Sequence, residues 1–239
     1  MLVKTGCCGF RSARAEYMRR FPVVEVQHTF YDPPKPETLK GWREEAPADF
    51  EFTLKAWMLI THEARSPTYR RLRRELSAKE REECGSFRWT KMVREAWDVT
   101  RACANALDAR LILFQCPASF KPTSGSIRNL RKFFTSIERA RLRLLWEPRG
   151  EWPAETVRAL CYELHLAHVV DPFAARTVTP EFCYFRLHGR GRGRYVYETD
   201  ELEELAEMLP PDRASYVLFN NVRMLTDAAR FQEIVKEVD

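Results

Sequence analysis

No stretch of this 239-residue chain approaches the ~18 consecutive apolar residues of a membrane span, so no membrane association is expected. The chain turns polar at Lys4 and Thr5, which leaves no room for the apolar core of a signal peptide, and a cytoplasmic protein is the expectation. The seven cysteines are odd in number and include no CxxC pair, so neither a zinc ribbon nor a complete disulfide framework is indicated. There is no HExxH motif and no glycine-spaced dinucleotide fingerprint leading into a helix. Lysine is scarce, 9 residues against 30 arginines, in a chain of net charge +5. Guanidinium forks match carboxylate and phosphate oxygens, so a small anionic ligand is expected; against this, 34 acids are present to pair with arginines on an ordinary surface. What is abundant is core-forming material, 45% hydrophobic residues, enough for most of the chain to share a packed interior.

Short apolar or β-branched runs recur at residues 2–5, 23–27, 50–55, 111–115, 142–147, 167–171, 182–188 and 215–220. Segments of helical period lie between them near 11–20, 36–45, 91–107, 126–139, 153–164, 199–209 and 225–237. Only the stretch 172–181 is too short for a full helix. Pro36 with Glu37 and Pro153 with Glu155 read as helix starts, and Asp200 with Glu203 as a capping box. Eight strands alternating with helices, with no second composition block, predict an α/β fold: a single (β/α)8 TIM-like barrel domain over residues 1–239. A helical insertion is expected at about 57–89 after the third strand, on the face that carries active sites in such barrels, with one extra helix starting at Ser66-Pro67. Its arginines 70, 71, 73 and 74 are placed to meet phosphates, although a charge run on a helix is ordinarily a solvated face.

Alternation along a strand puts residues two apart on one face. Applied to each strand, it groups Glu25 with Gln27, Lys55 with Thr53, Gln115 with Leu113, Glu147 with Leu145, Asp171 with Val169, Arg186 and His188 with Tyr184, and Asn220 with Leu218 on the inner side. Seven strands therefore end in an inward polar group, and buried charges without partners cost several kcal/mol each, so these tips must pair with one another, with water or with a ligand. His188 titrates near neutrality, and Glu147, Glu25 or Asp171 supply carboxylates for acid or base work. Lys55, Arg149 and Arg186 form an anion clamp. His62, beyond the third strand, and Tyr195, in the glycine- and arginine-rich stretch 188–195 that reads as either a mobile lid or an exposed turn, are further candidates. His165 sits at a helix end, and His168 is expected outward, packed under a helix. Cys7, at a strand's carboxyl end, is open to a nucleophilic reading, though a free cysteine is more commonly a small buried hydrophobe.

Several of these segments carry a family resemblance: Gly6-Cys7-Cys8-Gly9-Phe10, residues 24–31 (VEVQHTFY), residues 50–56 with Ile60-Thr61-His62 beyond, residues 114–120 (FQCPASF), Glu147-Pro148-Arg149 with Trp152, residues 186–189 (RLHG) and Phe219-Asn220-Asn221. In these motifs the chain resembles the YecE-like proteins, a family catalogued as a domain of unknown function. It differs in having Cys7-Cys8 where the family tends to Thr-Ser, and Gln27-His28 in place of Asn and Ser. The resemblance implies a TIM barrel over nearly the whole chain and a pocket formed by Glu25, Tyr31, Lys55, His62, Gln115, Glu147, Arg149, Arg186, His188 and Asn220. It implies no particular reaction.

The function expected is an enzyme of hydrolase, lyase or isomerase type. It would act on a phosphate- or carboxylate-bearing substrate, with Glu147 and His188 as acid and base. One rival is a nucleic-acid-binding barrel, in its metal-dependent form a phosphodiesterase like endonuclease IV. The other is a non-catalytic ligand-binding barrel. No cofactor is called for, and a divalent metal is the alternative that two carboxylates and a histidine would permit.

Overall fold

Eight five- or four-residue strands alternate with helices along the chain: β1 (Val3–Cys7), β2 (Val23–Val26), β3 (Glu51–Lys55), β4 (Leu111–Gln115), β5 (Arg143–Glu147), β6 (Leu166–Val170), β7 (Cys183–Leu187) and β8 (Ser215–Phe219). In this computed structural model, which describes residues 2–190 and 195–238, they follow one another in sequence order and close into a barrel. The expected α/β barrel class is therefore what the chain adopts. Among the described residues no helix is long and apolar enough to cross a membrane.

The described residues group into two compact units. The first comprises Met1–Val26, Ala46–Glu51 and Ala167–Asp239. Here β1 runs parallel to β8 in full register, Val3 opposite Ser215 through Cys7 opposite Phe219, and meets β2 at Gly6–Val23 and Cys7–Val24. A side chain on Gly6 would put its Cβ 2.1 Å from the Val23 carbonyl oxygen, so this close approach of strands admits only glycine. Helix α1 (Arg14–Arg20) is fastened by Tyr17, whose hydroxyl accepts from the Cys7 N–H at 2.7 Å and donates to the Val23 carbonyl at 2.9 Å. Its ring packs among Phe10, Phe21 and Phe50. No helix joins β6 to β7, as the length of that connection required. The unit ends with α9 (Thr199–Glu207) and α10 (Met224–Val238), which pack on each other and, for α10, on β1.

The second unit comprises Gln27–Glu45 and Phe52–Leu166. β3 pairs with β4, and β4 with β5 from Leu111–Arg143 to Gln115–Glu147. Its helices are α2 (His28–Tyr31), α3 (Pro36–Glu45), α4 (Met58–Thr61), α5 (Ala78–Glu83), α6 (Lys91–Ala106), α7 (Ser124–Ser136) and α8 (Ala154–Leu164). An aromatic cluster of Phe87, Phe114, Phe133 and Phe134, with ring centroids 5.1–6.1 Å apart and each ring essentially buried, holds α7 against β4. Each such ring contributes about 1.5–3 kcal/mol by leaving water.

Three local expectations are corrected. The insertion 57–89 does not hold one helix from Ser66-Pro67: Pro67–Arg71 is a five-residue 3-10 turn ending at extended Leu72, and α5 forms separately behind a Ser77/Glu80 capping box. The Ser-x-x-Glu spacing of that box was readable in the sequence. At α9 the carboxylate reaching back belongs to Glu201, whose Oε2 accepts from the Glu198 N–H at 2.9 Å, because the helix starts two residues earlier than the Asp200/Glu203 pairing requires. His168 is buried, but under the irregular β6–β7 connection and not a helix: its Nδ1 accepts from the Val178 N–H at 3.2 Å.

Candidate functional site

In the first unit, alternation along β7 places Tyr184 and Arg186 on one face, and both meet Glu25 of β2. Arg186 grips the carboxylate with two parallel bonds, Nη2 to Oε1 at 2.9 Å and Nε to Oε2 at 3.1 Å, and the Tyr184 hydroxyl donates to Oε2 at 2.9 Å. All three side chains are fully buried. An ion pair with no access to water is tolerated only with such geometry and extra donors, since desolvation otherwise exceeds the attraction. The Cys8 thiol bonds to the same carboxylate, and burial followed by the Glu25 charge holds its pKa well above the usual thiol range. Glu25 and Arg186, expected to act directly on a ligand as catalytic carboxylate and anion clamp, are sealed against each other here. Their evident effect is to fix what lies above them.

Above them is His188, half-buried at the end of β7. Arg186 Nη1 lies 3.5 Å from its Nε2, and the Asn220 side-chain amide 3.2 Å from its Nδ1. The His188 backbone N–H donates to Asp171 Oδ2 at 2.9 Å, while Asp171 Oδ1 takes the Phe173 N–H at 3.2 Å. Asp171 therefore positions the histidine through its backbone. A guanidinium has only donors, so the Nε2 facing it presents a lone pair and Nδ1 carries the proton; this tautomer requires the Asn220 amide, whose nitrogen faces Nδ1, to turn its oxygen there instead. The first unit thus brings together Glu25, Asp171, Arg186, His188 and Asn220.

Tyr195 belongs to a neighbouring cluster: its hydroxyl donates to Glu201, which pushes the Tyr195 pKa up to about 12, and Arg190 pairs with the same carboxylate at 3.2 Å. Of the stretch read as a lid, residues 191–194 lie outside the described residues. Tyr197 accepts the Gly189 N–H at 2.8 Å, and the Asn221 amide donates to buried Asp227 at 2.6 Å. Cys7 does not fit the nucleophile reading: it is fully buried, burial pushes its pKa up to about 12, and its Sγ donates to the Met224 carbonyl at 3.4 Å.

In the second unit, Lys55 at the end of β3 is 5% exposed and holds its ammonium 3.5 Å from the centroid of Phe30, a cation–π contact. Thr29 of α2 donates to the Lys55 carbonyl at 2.7 Å, and Gln27 is the residue from which α2 starts. His62 packs edge-on against the same Phe30 ring and shares a 2.8 Å bond with the Thr61 hydroxyl. Burial and then the Lys55 charge lower its pKa to about 3, so His62 is neutral at physiological pH. Glu147, 4% exposed at the end of β5, accepts from Arg149 Nε at 2.6 Å, and Gln115 stands opposite it in register. Tyr31 carries the Arg71 guanidinium on its ring at 4.5 Å. Of the other insertion arginines, Arg73 pairs with Asp32 and Arg74 with Glu80. Tyr184 and Cys8 around Glu25, and Phe30 and Thr61 around His62, complete these constellations and were not singled out as site residues in the sequence. Tyr184 carried a signal in its shared parity with Arg186, and Cys8, Phe30 and Thr61 lie within the motifs that carry the family resemblance. Among the described residues no three His, Cys, Asp or Glu side chains converge as a metal donor set.

Against known proteins, the chain is 45% identical over 49 residues to the UPF0759 protein YecE of Escherichia coli K12, a match covering 20% of this chain and 18% of that protein. A crystal structure of a DUF72 family protein from Enterococcus faecalis V583 superposes with a TM-score of 0.77 at 22% identity, over 98% of each chain. Endonuclease IV from Thermus thermophilus shares the fold more distantly, with a TM-score of 0.57 at 12% identity over 98% of this chain and 99% of that one. With residues 9–239 matching the family model described as a protein of unknown function, this barrel chain belongs to the DUF72 family.

Proposed function

We propose that this DUF72 chain is an enzyme that acts by acid–base chemistry on a phosphate- or carboxylate-bearing substrate at the carboxyl ends of its barrel strands, with His188 as the proton-transferring group. The observation that carries the reading is the setting of that imidazole: half-buried, held by Arg186 and Asn220 at its two nitrogens and by Asp171 at its backbone. At 3.5 Å the Arg186 contact is at the outer limit of a hydrogen bond, so the Nε2 lone pair exchanges it readily for a substrate proton donor. The imidazolium formed by that transfer is tolerated beside Arg186 because Glu25 already neutralises the guanidinium, and because Asp171 adds a carboxylate at the His188 backbone. The preference for an anionic substrate is supported by the 30 arginines of the chain, whose guanidinium forks match phosphate and carboxylate oxygens.

The test is a screen of phosphate and carboxylate esters for turnover, followed by His188→Gln. Loss of the proton-transfer group is expected to lower kcat by about 10²–10⁴-fold with KM little changed. Unchanged turnover in a folded His188→Gln protein overturns the assignment. A chain that binds such anions saturably and turns none of them over is the non-catalytic ligand-binding barrel instead.

A further inference from the structure

The excursion between β3 and α6 contains its own concave surface, built only from residues 63–88. Two adjoining cavities, about 390 and 420 Å³, share a wall made by Ala64, Arg65 and Arg81. The first is lined by Arg65, Arg70 and Arg81 together with Ser66 and Tyr69, and no carboxylate faces it. The arginines of this excursion fall into two groups. Arg65, Arg73 and Arg74 are each neutralised by a carboxylate, Glu63, Asp32 and Glu80 respectively. Arg70 and Arg81 have no carboxylate partner among the described residues. Arg81 is nevertheless held in place, because its Nη2 donates to the Ala64 carbonyl at 3.0 Å, a bond that orients the guanidinium without cancelling its charge.

The walls are fixed before any ligand arrives. Buried Tyr69 donates to the His62 carbonyl at 2.8 Å, and the far end of the excursion is bonded back to α4 by Gly85 N–H to the Leu59 carbonyl at 2.7 Å and Phe87 N–H to the Ile60 carbonyl at 2.9 Å. Gly85 has φ +84°, and a Cβ there would lie 2.4 Å from the His62 carbonyl group, so this clamp depends on glycine. An oriented, uncompensated guanidinium against fixed walls, as Arg81 offers, is what a phosphate group needs, since little entropy is lost in arranging it, and Arg70 adds its charge from the exposed rim. The second cavity adds Arg88, anchored through Nε to the Gly85 carbonyl at 3.3 Å, but also Glu63 and Glu82; Glu63 is taken up by Arg65 and Ser86, whereas Glu82 opposes an anion there. Binding strength therefore concentrates at Arg70 and Arg81.

We propose that this trough is an anion-binding site for linked phosphates, as in pyrophosphate or the diphosphate of a nucleotide, separate from the His188 constellation and independent of the function proposed for it. Two adjoining cavities that share the wall of Ala64, Arg65 and Arg81 favour two connected phosphates over one.

Calorimetric titration of the full chain with inorganic pyrophosphate tests this. Wild type is expected to bind one pyrophosphate saturably. Arg70→Ala and Arg81→Ala should each weaken binding about tenfold through loss of a charged contact. Arg73→Ala, whose guanidinium is already paired with Asp32, should stay within about twofold. Arg70 is exposed and makes no described contact, so its variant tests the site without threatening the fold. The proposal is overturned by absence of saturable binding at millimolar pyrophosphate, by equal losses in Arg70→Ala and Arg73→Ala, or by binding that survives both Arg70→Ala and Arg81→Ala but is lost in Lys55→Met.

Discussion

His62 shows how a single side chain converts its surroundings into a pH dependence. Its ring lies on Phe30, 5% exposed, with the Lys55 ammonium nearby, and both influences disfavour its charged form. The folded chain therefore holds His62 neutral down to about pH 3, whereas an unfolded chain protonates it near its ordinary value of 6.5. Between those limits the unfolded state binds the extra proton, so stability falls as pH drops from about 6.5 toward about 3. One proton bound only by the unfolded chain corresponds to a slope of up to about 1.4 kcal/mol per pH unit. His62→Asn keeps a polar atom near the position of Nδ1, for Thr61, and removes the titration. Urea denaturation across pH 4–7 should give a shallower acid slope for this variant than for wild type, and parallel curves would refute the account. The sequence placed His62 near the site but not in this setting, because the two groups that set its charge, Phe30 and Lys55, reach it through folds of the chain that no spacing encodes. Glu25 and Arg186 teach the same lesson. Parity alone assigned them to the inner face, but their mutual burial depends on a partner strand about 160 residues away in sequence.

Elements were legible where a period was long enough to be read. All eight strands fall within two residues of their expected positions, and the helix-free β6–β7 connection follows from its length. Errors gathered at ends and in the insertion, where choices between caps are worth only about 1 kcal/mol and a neighbouring contact decides them. Attachment of elements is less legible still, and α1 is the clearest case. Nothing in the Arg14–Arg20 sequence marks Tyr17 as more than a core aromatic, yet its hydroxyl is the link between α1, β1 and β2. Tyr17→Phe keeps the ring packing and strips both bonds, leaving the Cys7 N–H buried with no acceptor. A loss of about 1–3 kcal/mol is expected, typical of one orphaned buried donor. A chemical denaturation midpoint unchanged by this substitution would show that the backbone finds another partner. The readout is equilibrium stability, because the hydroxyl lies fully inside and touches no candidate ligand group.

At the scale of the whole molecule, the barrel was readable from the count and alternation of strands, while the fate of the seven cysteines was readable only as chemistry left over. The structure buries every one of them as a free thiol, on strands, helices and the insertion alike. Two physical barriers then stand between these thiols and a reagent in solution. The first is access, since Cys7, Cys84 and Cys116 have no exposed surface and Cys103, Cys161, Cys8 and Cys183 almost none. The second is protonation, because the reactive species is the thiolate and burial pushes Cys7 up to about 12 and Cys103 up to about 11. At pH 8 a thiol of pKa near 12 holds roughly one part in ten thousand as thiolate, against about a quarter for a free cysteine. Labelling with a disulfide reagent at pH 8 should accordingly modify fewer than one thiol per native chain over minutes, and all seven in guanidinium. Labelling must then proceed through opening of the fold, so added stabilising salt should slow it in step with unfolding. A thiol that labels rapidly in the native chain, and at a rate indifferent to conditions that stabilise the fold, would place at least one of these side chains at an accessible surface and refute the burial assigned to it.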